Sequence, residues 1–191
     1  MSNGGRQLLA AGYQLLATGY WLLTKNKKNM KETIAALYKF QLNYLEKLVA
    51  NIPEERLYEK QLDGFNSAGW ILGHIYVEAE DLLKHLEIPY KENTDWVSYF
   101  QNTRGKIDRL ENLPSKALLL EKIKRRYNAL LKVYNELSDA QRKGAHPSPL
   151  IKGMLPNLDA WFAHHLTTHI SIHCGNLVVW KKVIGIEING Y

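Results

Sequence analysis

Apolar residues recur every three or four positions along four long stretches of the chain, the spacing of one face of an α-helix. The first stretch runs from Met30 to Asn51 and stops before Pro53. The second begins at Asn66 or Ser67, either of which suits a helix N-cap, and continues to Pro89. These two stretches therefore predict two long helices in the first half of the chain.

The second half of the chain repeats this pattern twice. Ser115 precedes an amphipathic stretch, SKALLLEKIKRRYNALLKVYNEL, that ends near Ser138. A loop rich in proline follows, and a last helical stretch runs from Asn157 to about Ile184, with Gly185 as its C-cap. The segment before Ser115 is mixed, and we expect it to be a connection with short helical pieces around Trp96.

Four helices joined by two longer connections, with almost no strand pattern, predict an all-α fold of the four-helix-bundle type. The longer connections are expected between the second and third helices and between the third and fourth. A chain of 191 residues fits one such domain and is long enough to bury a sizeable core. Its single cysteine, Cys174, rules out an internal disulfide framework.

A net charge of +6 would by itself favour an acidic partner. The distribution of the charge along the chain, however, does not support one. Residues 1–29 contain four basic residues and no acid, so they account for +4 of this net charge. The densest basic run elsewhere, KIKRR at 122–126, lies within a helical pattern and is interpreted as a solvated face. The charge distribution therefore argues against a nucleic-acid partner.

Residues 7–27 contain a seven-residue repeat, QLLAAGY, QLLATGY and WLLTKNK. The repeat has two glycines, no convincing signal-peptide cleavage site, and too few apolar residues for a membrane span. We interpret residues 1–29 as a leader or tag-like segment and residues 30–191 as the domain. The segment from Met30 resembles the start of a cytosolic helical protein, so a cytoplasmic location is expected and a membrane partner is not.

Histidines are concentrated in WFAHHLTTHISIHCGN, residues 161–176, which holds four of the seven in the chain. His165, His169 and His173 follow one another at intervals of four, so they lie on one face of a helix. Histidines at i and i+4 are a standard way to direct two imidazoles at one metal ion. His165 and His173 are about 12 Å apart along a helix, too far to share an ion. At most one adjacent pair can therefore ligate.

A third ligand must come from another helix. His74 lies inside the second helical stretch, in the apolar run ILGHIYV. A histidine buried there needs a partner for its ring nitrogens, and a metal ion would serve. His85 lies near the end of the same helix, and His146 lies in a loop beside Pro147. His74 is the strongest of the three candidates.

Two short motifs carry a resemblance to a known family. The run GWILGHIYVEAEDL, followed about ninety residues later by HISIHCGNLVVWKKVIG, resembles the DinB-like superfamily of metal-binding four-helix bundles. The resemblance covers residues 30–185 in helix order and spacing, and its specific part is LGHI together with HISIHCGN. Asn176 departs from the family pattern, which has glutamine there, and we expect an effect on packing rather than on ligation.

The resemblance implies which residues bind the metal. It selects His74, His169 and His173 as ligands and assigns His165 no such role. It implies a divalent transition metal, with zinc and nickel as the first candidates. Imidazole ligands suit several such ions, so the sequence does not choose among them. Relatives in this family include thiol-dependent S-transferases, which implies that the metal activates a low-molecular-weight thiol for attack on an electrophile. The expected partners are therefore a small-molecule thiol or electrophile, and a homodimer is a further expectation.

Alternatives to a thiol transferase stay open, and one is a helical bundle without metal whose histidines are only polar residues on helix faces. A metal-dependent hydrolase would need a base near the ion, and Glu78, four residues after His74, is the candidate. A non-catalytic stress-response protein would use the ion only for binding. Cys174 follows His173 directly, so its side chain is expected to point away from the site as a buried structural thiol.

Overall fold

The computed structural model describes residues 30–60, 66–89, 94–101, 112–148 and 153–188. Its elements are helix α1 (30–50), a 3-10 turn (Glu54–Arg56), α2 (Ala68–His85), α3 (Thr94–Phe100), α4 (Lys116–Glu136), α5 (Asp139–Arg142), α6 (Leu158–Ala163), a π-helical segment (His164–Thr168) and α7 (His169–Val183). Every regular element in these ranges is helical, which confirms the all-α prediction. The predicted leader, residues 1–29, lies outside the described residues.

The chain divides into two units, Met1–Ala36 and Leu37–Tyr191. In the first unit the described residues are the opening turns of α1, from 30 to 36. The second unit contains the rest of α1, the other described helices and all seven histidines. None of the described helices combines the length and the apolar character needed to cross a membrane.

Helix α2 is the central helix of the second unit and packs against α3, α4 and α7. Of the two predicted N-caps, Ser67 takes the role, since its hydroxyl accepts a hydrogen bond from the backbone N–H of Trp70. The helix is apolar on nearly all sides, as expected for a helix surrounded by others. Its buried position fixes the surroundings of His74.

Helix α4 shows how an amphipathic sequence produces packing. Ser115 caps it as predicted, accepting from the backbone N–H of Leu118. The buried positions follow a three-four spacing and are Leu119, Ile123, Tyr127, Leu130 and Tyr134. Lys124 and Arg125 of the basic run are exposed, which confirms a solvated face. Arg126 instead turns inward, and its Nη2 lies 2.8 Å from Oε1 of the fully buried Glu80 on α2.

Two lysines stabilise the carboxyl end of α1, where helix carbonyls have no partners within the helix. Lys181 of α7, fully buried, donates from Nζ to the carbonyl of Leu48 at 2.8 Å. Lys116 donates to the carbonyls of Val49 and Ile52 at 3.1 and 2.6 Å. An ammonium group at this end also opposes the negative pole of the helix. These bonds tie α1 to both α4 and α7.

The last predicted helix has the expected ends and an unexpected interior. Asn157 caps it, accepting from the backbone N–H of Ala160, and Gly185 follows its end with φ of 72°. Ile184 occupies the C-cap itself, so Gly185 is the left-handed residue one position later. Between α6 and α7 the π-helical segment adds a residue to the turn, and the N–H of His169 bonds the carbonyl of His164. The sequence pattern did not predict this interruption.

Candidate metal centre

His74 is held by groups on α2 and α3. Its Nδ1 lies 2.9 Å from the carbonyl oxygen of Phe100, and because a carbonyl only accepts, Nδ1 carries the proton. Trp70, one turn earlier, stacks on the imidazole with ring centroids 5.1 Å apart and planes 8° from parallel. The indole of Trp70 is itself anchored to the carbonyl of Tyr99 at 3.1 Å. The lone pair of His74 is therefore on Nε2, in a ring whose orientation is fixed.

Gly73 allows this arrangement. A Cβ at position 73 would lie 2.3 Å from ring atoms of Phe100, which is fully buried. Only a glycine lets α3 approach α2 closely enough for the Phe100 carbonyl to reach His74. The small residue before His74 thus has a structural reason in this chain.

Helix α7 provides the other two imidazoles. His169 and His173 are one turn apart in regular α-helix, with their Nε2 atoms 3.1 Å apart. Their ring centroids lie 5.6 and 4.8 Å from that of His74. One ligand nitrogen from each of the three residues lies within 4.8 Å of the other two. We call this group the three-histidine site.

The geometry of the three-histidine site fits one metal ion. Nitrogens bound to a single ion at 2.0–2.1 Å lie about 3–4 Å apart, so side-chain shifts of about 1 Å would complete the coordination. The bond from His74 to the Phe100 carbonyl is the kind that orients a ligating imidazole in metalloproteins. Three protein ligands leave further positions of the ion for a small molecule.

Burial keeps the three imidazoles uncharged. Desolvation, followed by the neighbouring histidines, lowers the pKa of His169 to about 2. Desolvation and His74 lower the pKa of His173 to about 4. Burial also lowers the pKa of His74, against the Phe100 hydrogen bond that raises it. Near neutral pH all three therefore present lone pairs, so protons do not compete with an ion.

His165 lies beside the three-histidine site without belonging to it. Its ring centroid is 5.9 Å from that of His169, and it is only 7% exposed. This agrees with the helix-distance argument, which allowed one adjacent pair. The neighbouring His164 is half-buried, with its ring 6.2 Å from that of His169. His85 bonds the Asp81 carbonyl from Nδ1 at 2.8 Å, within its own helix.

Glu78 and Cys174 occupy different surroundings from the three histidines. Burial and Asp81 raise the pKa of Glu78, while His85 lowers it. Within the described residues, the Glu78 carboxylate makes no hydrogen bond to the three-histidine site, so the structure does not favour it as a base there. Cys174 is buried, as predicted, and burial raises the pKa of its thiol to about 12.

Sequence reasoning missed three features of this region. One is the Phe100 carbonyl, which carries no sequence signal because any residue type has one. Another is the π-helical segment, although such segments often occur at functional sites. The third is the link from His146, predicted only as a loop residue, through Trp161 to His165; the two imidazoles lie 6.5 and 4.9 Å from that indole.

Two packed helices of this all-α protein bring three neutral imidazoles together. Such a group can hold a divalent metal ion. The sequence model of the DinB superfamily matches residues 37–176, more than half of the chain. The chain therefore belongs to the DinB superfamily, and the resemblance seen in its motifs is confirmed. No curated protein sequence matches the chain.

Proposed function

We propose that this protein is a metal-dependent transferase that activates a low-molecular-weight thiol for attack on an electrophile. The observation that carries the proposal is the three-histidine site: neutral imidazoles of His74, His169 and His173 with facing nitrogens within 4.8 Å. A divalent ion held there would act as a Lewis acid and lower the pKa of a bound thiol. Membership of the DinB superfamily supports the same reading.

The residues of the chain prepare the site before any reactant arrives. The Phe100 carbonyl and the Trp70 indole hold the ring of His74, which limits the conformational entropy lost on binding an ion. His169 and His173 are only partly buried, so a small molecule can approach from their side. In the reaction the thiol sulfur bonds to the electrophilic atom, the leaving group departs with its bonding pair, and the thiol proton passes to solvent.

A thiol fits the site better than hydrolysis does. A thiol of ordinary pKa needs only a Lewis acid to become a nucleophile near neutral pH. Hydrolysis by water calls for a base beside the ion. Burial and Asp81 raise the pKa of Glu78 and His85 lowers it, and no histidine of the three-histidine site is among these causes. Glu78 is therefore not supported as the base of a hydrolase, and a hydrolase would have to use a histidine beside the site such as His165, whose ring centroid lies 5.9 Å from that of His169.

Metal titration tests the site itself. We expect the purified, metal-free protein to bind one Zn²⁺ or Ni²⁺, measured by competition with a chromophoric chelator. His74→Ala, His169→Ala and His173→Ala should each weaken binding at least about 100-fold, more than loss of an outer hydrogen bond does. His85→Ala is the matched control and should bind like the wild type. Equal affinity of His74→Ala and the control would overturn the site.

A thiol screen tests the reaction. The metal-loaded protein is incubated with small thiols and an activated aryl halide, and thioether formation is followed by absorbance. We expect conjugation that requires both metal and His74. Hydrolysis of an ester or amide in the absence of thiol would overturn the transferase proposal in favour of the hydrolase. If the metal-bound protein showed no turnover in either assay, a non-catalytic metal-binding protein would be the conclusion.

A further inference from the structure

Three buried side chains beside the three-histidine site have ring nitrogens that make no hydrogen bond within the described residues. Trp161, His146 and His165 are 0%, 6% and 7% exposed. Within the described residues, the indole Nε1 of Trp161, the Nδ1 of His146 and both nitrogens of His165 make no hydrogen bond. Each buried polar group without a hydrogen bond destabilises the folded state. Such groups in one cluster call for a bonding partner that the folded chain does not supply.

The cluster is continuous with the three-histidine site. The ring of His165 lies 5.9 Å from that of His169 and 4.9 Å from that of Trp161. His146 stacks on Trp161, with ring centroids 6.5 Å apart. His169 is half-buried while His165 is buried, so the series of rings leads from the accessible end of the site inward. A small molecule with its sulfur near His169 would direct its other end to His165.

The chemistry of the cluster selects an uncharged partner. His146 donates from Nε2 to the carbonyl of Leu155 at 3.1 Å, so its Nδ1 can only accept. The Trp161 indole can only donate, and a neutral His165 offers one donor and one acceptor. Burial, and then the neighbouring His164, His146 and His85, lower the pKa of His165, and none of these causes, drawn from the described part of the chain, is a carboxylate or a lysine that would offset an added charge. An ionised group buried there would be costly, whereas a hydroxyl both donates and accepts.

We propose that Trp161, His165 and His146 form a subsite that binds an uncharged hydroxyl group of the thiol whose sulfur is directed to the three-histidine site. This inference rests on the proposed function and adds the class of thiol: neutral and hydroxylated. The indole N–H donates a hydrogen bond to the hydroxyl oxygen, and the hydroxyl O–H donates one to an imidazole nitrogen.

Calorimetry on the cobalt-loaded protein tests the subsite with three thiols of similar size. These are 2-mercaptoethanol, ethanethiol, which lacks the hydroxyl, and 3-mercaptopropionate, which carries a charge. We expect 2-mercaptoethanol to bind about three- to tenfold more tightly than either of the others, the worth of one or two hydrogen bonds. Trp161→Phe and His165→Leu should reduce that preference to less than twofold while cobalt affinity stays within twofold.

Two further variants separate ligand binding from packing. Trp180→Phe removes a buried indole of α7, and the Nε1 of that indole already donates to the Glu59 carbonyl at 3.0 Å. It should lower the melting temperature and keep the full thiol preference. His165→Gln keeps a donor and an acceptor and should retain the preference, which guards against misfolding of His165→Leu.

The outcomes separate the subsite from the proposed function. Failure of the metal-free protein to bind cobalt when it is loaded overturns the metal site, and with it both proposals. Cobalt binding without heat from any thiol overturns the use of thiols. Thiol binding without preference, or a preference that survives Trp161→Phe and His165→Leu, overturns the subsite alone. Tighter binding of 3-mercaptopropionate than of 2-mercaptoethanol overturns the inference that the thiol is uncharged.

Discussion

At the scale of single residues, the position before His74 controls the site more than its size suggests. Gly73 leaves room for the Phe100 ring, and the backbone of the same Phe100 bonds His74 at 2.9 Å. That bond sets which nitrogen of His74 faces His169 and His173. A glycine thus acts on the metal site through packing and without touching an ion.

Gly73→Ala should therefore damage both stability and metal binding. The added Cβ forces the buried Phe100 ring to move, and overpacking of this kind costs about 1–3 kcal/mol. The gain in helix propensity, up to about 1 kcal/mol, offsets only part of that cost. Loss of the outer hydrogen bond to His74 should weaken Zn²⁺ binding about 10- to 100-fold. Urea denaturation and metal titration measure the two effects.

Gly175→Ala is the matched control for this substitution. Gly175 lies inside α7, and a Cβ there has nothing within 4 Å. The variant should gain up to about 1 kcal/mol of stability from helix propensity and keep its metal affinity. If Gly73→Ala behaved in the same way, the close approach of α3 to α2 would have no role in the site.

At the scale of elements, α2 is fixed to α4 by a buried ion pair. Arg126 places Nε and Nη2 at 3.0 and 2.8 Å from Oε1 of Glu80, and the Tyr76 hydroxyl donates to the same oxygen. Glu80 is fully buried, and the Arg126 side chain is 17% exposed. The pair lies on the helix that carries His74, so it stabilises the position of α2 against α4.

Arg126→Met should destabilise the protein by about 3–5 kcal/mol, because it leaves the Glu80 charge buried and unpaired. The same substitution in a Glu80→Gln background should cost much less, which a double-mutant cycle in urea would measure. Lys132→Met, on the same helix, is the control. Its partner Glu136 is 4.0 Å away and both side chains are exposed, so the expected change is below about 1 kcal/mol. A large cost in both backgrounds would contradict the ion-pair account.

The π-helical segment is the second element-scale feature. It ends where His169 begins α7, so His169 and His173 share regular α-helical spacing while His165 lies in the wider turn. The Thr167 hydroxyl bonds the Ala163 carbonyl at 2.6 Å and the Ser171 hydroxyl bonds the Thr167 carbonyl at 3.0 Å. The interruption therefore places His165 outside the regular α-helical register that His169 and His173 share.

At the scale of the whole molecule, the three-histidine site joins helices from distant parts of the chain. α2 and α7 pack against each other, and an ion bound by His74, His169 and His173 would cross-link them. Such an ion binds the folded state and not the unfolded one, so it stabilises folding by mass action.

Zn²⁺ or Ni²⁺ should accordingly raise the melting temperature of the metal-free protein. At an ion concentration 100 times Kd the stabilisation is about 2.7 kcal/mol. For a domain of this size that corresponds to about 5–10 °C in a thermal melt. Chelation should reverse the shift, and Mg²⁺, which prefers oxygen ligands, should not produce it. An equal shift in His74→Ala would show that the ion does not bridge α2 and α7.

The amino-acid sequence by itself determined the long helices and the caps Ser115 and Asn157, and it predicted histidine ligands on the second and last of these helices. Helix periodicity and capping are local, so they can be read without knowing what the helices pack against. The choice of His74, His169 and His173 also needed the resemblance of two short motifs to a family, because spacing alone left other pairs open.

Tertiary structure decided what depends on contacts between distant segments. The Phe100 carbonyl bonds His74 across 26 residues, and Arg126 turns inward to Glu80 on another helix. His146, from the loop before α6, stacks on Trp161, which also contacts His165. No periodic pattern encodes such contacts, because they arise only when packing brings two elements within hydrogen-bonding distance. The same packing, by excluding water, makes the three imidazoles neutral ligands near neutral pH.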